Sequence, residues 1–115
     1  MIMIKRIYDP PSRSDGKRIL VDRLWPRGIK KVEARIDEWL KDIAPSDALR
    51  KWFAHDPAKW PAFREKFRKE LADRKDILER LRKEASSGTV TLLFSAKDTE
   101  HNNAVALKEM IERRK

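Results

Sequence analysis

Two short stretches hold the side chains with chemistry to offer: Asp22-Arg23-Leu24-Trp25-Pro26-Arg27-Gly28 and Ser95-Ala96-Lys97-Asp98-Thr99-Glu100-His101-Asn102-Asn103. A guanidinium presents paired N–H donors that match carboxylate or phosphate oxygens. A histidine titrates near neutrality, and Asp98 stands one helical turn from His101, where a carboxylate would orient the ring. We therefore expect Arg23, Arg27, Ser95, Lys97 and Asn102 to contact an anionic ligand, and His101 with Asp98 to form an acid–base pair. Structural roles compete for the same residues. Asp22 would pair with Arg23, Trp25 would fill core, and Asn102 or Asn103 would start a helix.

Convergence depends on the elements that carry these stretches. Each follows an apolar, β-branched run, Ile19-Leu20-Val21 in one case and Val90-Thr91-Leu92-Leu93-Phe94 in the other. In open α/β sheets, ligands bind beyond the carboxyl ends of the strands. Side by side, the two strands would bring Arg23, Arg27, Lys97 and His101 to Asp22, Asp98 and Asn102. The connection between them is long and helical, which implies parallel pairing.

The rest of the chain reads as follows. Residues 2–8 predict a first strand, residues 9–16 a turn-rich loop, and residues 18–22 a second strand. Val32, Ile36, Leu40 and Ile43 recur at helical spacing and predict an amphipathic helix over 31–42. Pro45 ends it, and Ser46 caps a short helix with Leu49, Trp52 and Phe53 inward. Asp56-Pro57 starts a longer helical stretch, one helix or two with a break near 73–76. Residues 89–95 are apolar on both faces, as in a buried central strand. A last helix spans 100–113, capped by Asp98 or Thr99, so that N–H groups near 100–102 and Lys97 would face an anion. The expected fold is a single α/β domain over 1–115, with a small three-stranded, mainly parallel sheet flanked by helices. It is Rossmann-like in layout but lacks the glycine-rich loop of a dinucleotide fold. The short link between the first two strands fits a hairpin or a crossover.

Composition excludes several classes. The absence of cysteine removes disulfides, thiolate metal sites and cysteine nucleophiles. Two histidines among scattered carboxylates lack metal-ligand spacing, so neither metal nor cofactor is expected. No apolar run reaches the ~20 residues that span a bilayer, and the start is too short for a signal peptide, so a cytoplasmic location is expected. The net charge is +9, with 13 basic and 9 acidic residues in 1–56 and 15 and 10 in 57–115. That even spread predicts an ion-paired, solvated surface before a nucleic-acid stripe. A small anionic ligand is the expected partner. Non-specific nucleic-acid binding, or a structural or partner-binding role without catalysis, stands as the alternative. The residues leave open whether the chain is an enzyme, and its oligomeric state. Glutamine is absent and the only asparagines are Asn102 and Asn103; with abundant Lys, Arg and Glu, this usage is thermophile-like.

Longer motifs carry a resemblance. The run from Asp15 through Asp22-Arg23-Leu24-Trp25-Pro26-Arg27-Gly28 resembles the short, YeaO-like branch of the domain of unknown function 488 family. So do Lys5-Arg6-Ile7-Tyr8-Asp9, Trp39-Leu40-Lys41-Asp42-Ile43-Ala44-Pro45-Ser46, Leu49-Arg50-Lys51-Trp52-Phe53 and Thr91 to Asp98 with His101-Asn102. The resemblance covers nearly the whole chain. Longer relatives have a similar Asp-x-Arg after one strand, a cysteine and glutamate after the later one, and then Cys-His-Arg. Here Ser95 and Asp98 stand near those places, so thiol chemistry does not carry over. No winged-helix pattern supports a regulator, and no cofactor loop supports a methyltransferase.

Overall fold

The computed structural model describes residues 1–113 and holds four strands, Ile2–Arg6 (β1), Lys17–Leu20 (β2), Glu38–Trp39 (β3) and Val90–Phe94 (β4). Their order is β1-β4-β2-β3, and every pairing is parallel. The sequence reading expected three strands; the fourth, β3, lies in the segment expected to be helical. β4 is buried at all five positions, as its two-sided apolar run requires when both of its edges are paired. β1 and β2 are therefore not neighbours. Each pairs with β4, which settles the first link as a crossover and not a hairpin.

The helices are Lys31–Ala34 (α1), Asp47–Phe53 (α2), Trp60–Glu70 (α3), Lys75–Ser86 (α4) and Asn103–Glu112 (α5). α2 to α5 share one core with the sheet, in which Val21, Leu92 and Phe94 meet Phe53, Phe67 and Leu107. The break between α3 and α4 falls at Ala72–Arg74, close to where the sequence placed it. The opposite face is covered differently. Leu20, Leu93 and Ile7 pack under Ala34, Trp25 and Trp39, so a loop and a single helical turn do the work of a helical layer. No helix among the described residues is long and apolar enough to cross a membrane.

The helix expected over 31–42 stops after one turn. Arg18 donates from Nη2 to the Ala34 carbonyl (2.8 Å) and from Nε to that of Arg35 (3.0 Å). Arg35 turns left-handed at φ 49°. Next, the Asp37 N–H bonds to the Arg18 carbonyl (2.7 Å), and the Asp37 carboxylate accepts the Arg18 N–H (2.8 Å). The open edge of β2 thus offers backbone partners that outcompete the helical periodicity of Val32, Ile36 and Leu40.

Beneath the loop-covered face lies a buried ion cluster. The Asp15 carboxylate receives Lys5 Nζ (3.0 Å), Arg18 Nη1 (2.6 Å) and the Ser12 N–H (3.0 Å). Burial pushes its pKa up, but these donors outweigh burial and hold the carboxyl below the ordinary range. Gly16 follows at φ +62°, and a Cβ there would lie 2.2 Å from the Thr89 carbonyl oxygen. Gly16→Ala should therefore destabilise the protein by about 2–4 kcal/mol. Gly88→Ala, with open space around it, should stay within about 0.5 kcal/mol of wild type. Thermal melts of the two variants check this; equal midpoints would contradict the close approach at Gly16.

Candidate functional site

Parallel pairing of β2 with β4 places both sequence stretches on one edge of the sheet, as expected. The contact that joins them is Asp22. Its Oδ2 accepts the Ser95 N–H (2.9 Å) and the Ser95 hydroxyl (2.7 Å), and its Oδ1 accepts from Asn103 Nδ2 (3.3 Å). Asn103 also donates to the Val21 carbonyl (2.7 Å), and Trp39 Nε1 to the Asp22 carbonyl (2.7 Å). Asp22 therefore does not pair with Arg23, and among the described residues no cation lies within ion-pair distance of it. Burial raises its pKa, and the Ser95 and Asn103 hydrogen bonds only partly oppose that rise.

This generates a pH signature. The folded chain holds the Asp22 proton more tightly than the unfolded chain, whose ordinary value is 3.8. Asp22 thus favours folding fully below that value and loses the contribution as the pH rises through the elevated folded value. Asp22→Asn cannot ionise. The stability of wild type relative to Asp22→Asn should fall as the pH is raised from about 4 toward neutrality. Urea midpoints of both proteins across that range check it, and a constant difference would contradict it.

Asp98 and His101 do meet. Asp98 Oδ2 lies 2.9 Å from His101 Nδ1, while Oδ1 accepts the N–H groups of Glu100 (2.8 Å) and His101 (3.0 Å). These bonds, that of Glu100 first, hold the Asp98 carboxyl below its ordinary range. The His101 ring also stands edge-on to Trp60, at 5.4 Å between centroids. The cap of α5 is not Asp98 or Thr99 but Asn102, in the helix-start role that competed with a ligand contact. Asn102 accepts the Val105 N–H (3.0 Å) and donates to the Asp98 carbonyl (2.9 Å), so α5 begins at Asn103. The N–H groups expected to face an anion near 100–102 include two that are donated to Asp98. Lys97 is exposed beside this turn.

The arginines separate. Arg23 donates from Nε to the Pro45 carbonyl (3.1 Å) and from Nη2 to that of Ala44 (3.2 Å), tying the end of β2 to the entry of α2. Arg27 is exposed, and its carbonyl accepts the Tyr8 hydroxyl (2.8 Å). That contact carries its loop back across β4 to the end of β1, where Arg6 waits. Arg6 donates from Nε to the Ala96 carbonyl (2.9 Å) and from Nη2 to that of Ser95 (3.2 Å), with its guanidinium carbon 4.9 Å from the centre of the Tyr8 ring. Arg6 was not among the expected site residues. The residues alone did not fix the direction of β1, so the edge on which Arg6 would fall was open. Among the described residues no carboxylate lies within ion-pair distance of Arg6, Arg23, Arg27 or Lys97, whereas Arg18, Arg64, Arg80 and Arg82 are all so paired.

The edge can offer fixed guanidinium donors. The Ser95 hydroxyl donates to Asp22, and the His101 ring bonds to Asp98. A groove of about 1080 Å³ lies elsewhere, between α3, α4 and α5, and the expected residues do not line it. The described residues contain no cluster suited to a metal ion.

Comparison with known proteins gives a consistent picture. A family model described as "Inactive DUF488-N3 subclade" matches residues 1–115. "Uncharacterized protein YeaO" of Escherichia coli (strain K12) is 48% identical over 110 residues, covering 96% of each chain. "Uncharacterized protein Rv3073c" of Mycobacterium tuberculosis (strain ATCC 25618 / H37Rv) is 34% identical over 113 residues, 98% of this chain and 95% of its own. No solved structure matches significantly.

Proposed function

The chain belongs to the DUF488 family, and from that premise we propose that it binds a small anionic ligand, a nucleotide or phosphorylated metabolite, without turning it over. The observation that carries the reading is the group formed by Arg6, Tyr8 and Arg27 at the carboxyl edge. Arg6 spends two of its five N–H donors on backbone carbonyls. The remaining donors are held on a fixed plane, half-buried, with no carboxylate within ion-pair distance among the described residues. Such a guanidinium is pre-organised for an oxyanion and loses little freedom on binding one. Arg27 and Lys97, both exposed on the segments that follow β2 and β4, add further positive charge.

Two features favour binding over catalysis. Asp98 is committed to the turn that launches α5, which accounts for the Asp98–His101 contact without an acid–base role. The subclade to which the chain matches is itself described as inactive. Arg23, tied to the carbonyls of Ala44 and Pro45, acts as a strut.

Titration of the protein with pyrophosphate and with ATP at low salt, followed by calorimetry, tests the reading. Wild type should bind at least one of them and melt at a higher temperature in its presence. Arg6→Gln and Arg27→Ala should each weaken binding at least tenfold, the scale of one lost charged hydrogen bond. Arg27→Ala should leave the stability of the free protein within about 0.5 kcal/mol of wild type, and so its melting point nearly unchanged. Arg23→Ala should lower it while leaving affinity in place. Binding that survives Arg6→Gln and Arg27→Ala together would refute the site.

A further inference from the structure

The loop that covers the second face of the sheet carries more than it needs for packing. From Leu24 to Arg35 it holds four cations, Arg27, Lys30, Lys31 and Arg35, against one carboxylate, Glu33. All four cations are exposed, and among the described residues none lies within ion-pair distance of a carboxylate. α3 is also rich in cations, but there Arg64 pairs with Glu109 and Arg68 with Glu65. The same loop exposes two aliphatic side chains, Leu24 at 60% and Val32 at 80%. They flank a contact pair, since the Lys31 ammonium lies 5.9 Å from the centre of the Trp25 ring. Unpaired cations and exposed aliphatic side chains on one short loop are the surface that a docking partner would cover.

We propose that the 24–35 loop is a docking surface for an acidic protein segment bearing aliphatic side chains. Charge complementarity selects an acidic partner, and the chain's own net charge of +9 disfavours a second copy of itself. Two further observations select protein over the other polyanions. The aromatic rings of the loop are turned inward: the Trp25 indole N–H is taken by the Ile29 carbonyl (2.7 Å), and its ring packs edge-on against Trp39 at 5.3 Å. Lys31 lies beside the part of the Trp25 ring that stays exposed, so the one aromatic side chain within the loop is poorly placed to stack on a nucleic-acid base. The loop is also rigid by construction. Tyr8 holds the Arg27 carbonyl, Arg18 holds those of Ala34 and Arg35, and Gly28 makes its turn at φ 80°. A fixed arrangement of cations and aliphatics suits a partner of fixed shape and gives no advantage on a fluid lipid surface.

The inference goes beyond the small-anion reading and is tested separately from it. The probe is a 14-residue peptide of alternating glutamate and leucine, compared with a 14-nucleotide single-stranded RNA and with phosphatidylserine vesicles, all at low salt. The peptide should bind wild type more tightly than the RNA or the vesicles do. Lys30→Glu/Lys31→Glu should weaken the peptide at least tenfold, and Leu24→Ser/Val32→Ser at least threefold, with melting points close to wild type. A peptide of glutamate and serine should lose affinity as Leu24→Ser/Val32→Ser does. Arg6→Gln should leave peptide binding in place, so that failure of the small-anion site and failure of this surface are told apart. RNA or vesicles bound at least as tightly as the peptide would overturn the proposal. So would peptide binding indifferent to Leu24→Ser/Val32→Ser, or no peptide binding at all.

Discussion

β4 is paired on both edges and buried on both faces, and its parallel pairing is the constraint from which the molecule's layout follows. Parallel neighbours put every strand's carboxyl end on one side. The segments after β1, β2 and β4 therefore meet there whatever their sequence. The same pairing demands cover on both faces, yet α2 to α5 supply it on one only. The other face is closed by a loop, whose backbone cannot satisfy itself as a helix would. Side-chain donors take over: Tyr8, Trp25 and Arg18 reach the carbonyls of Arg27, Ile29, Ala34 and Arg35. No buried side-chain polar atom among the described residues lacks a partner.

Two aspartates show how the charge is distributed. Asp15 and Asp22 both lose hydration, but Asp15 meets Lys5 and Arg18 whereas Asp22 meets only neutral donors. Their carboxyls shift in opposite directions for that reason. On the Asp15 side, Lys5 and Arg18 share one buried carboxylate. At the carboxyl edge, among the described residues, Arg6, Arg23, Arg27 and Lys97 have no carboxylate within ion-pair distance, and the half-buried Asp22 has no cation within that distance. An even split of charge between the two halves of the chain hid this, because pairing is a property of the fold and not of composition.

What could be read from the residues divides along the same line. β4, α2 and α5 were legible within a few residues, because burial on two faces or one stripe leaves a strong periodic trace. Parallel pairing of β2 with β4 followed from the length of the connection. The segment 31–42 was not legible, because its apolar spacing suits a helix and only the open edge of β2 makes it a strand. Among site residues, Asp98 with His101 were near in sequence and so predictable as a pair. The contacts of Arg6 with Ser95 and Ala96 join residues ninety positions apart, and no local pattern announces them. Scarcity was the better signal: a chain with two asparagines uses one to cap α5 and the other to bind the end of β2.

Ser95 explains how such an edge can hold its shape without reactivity. It stands near the place where longer relatives carry a cysteine. A thiolate there would face the Asp22 carboxylate, charge against charge, and would have no proton to give. A hydroxyl at neutral pH keeps its proton and donates it to Asp22 at 2.7 Å, reinforcing the N–H bond from the same residue. Serine thus turns what would be an ionisable pair into a hydrogen-bonded tie between the ends of β2 and β4. The gain is rigidity at the point where Arg6 is anchored, since Arg6 bonds to the Ser95 carbonyl itself. The edge is thus held by neutral hydrogen bonds between Asp22, Ser95 and Asn103, and by those of Arg6 to the carbonyls that follow β4.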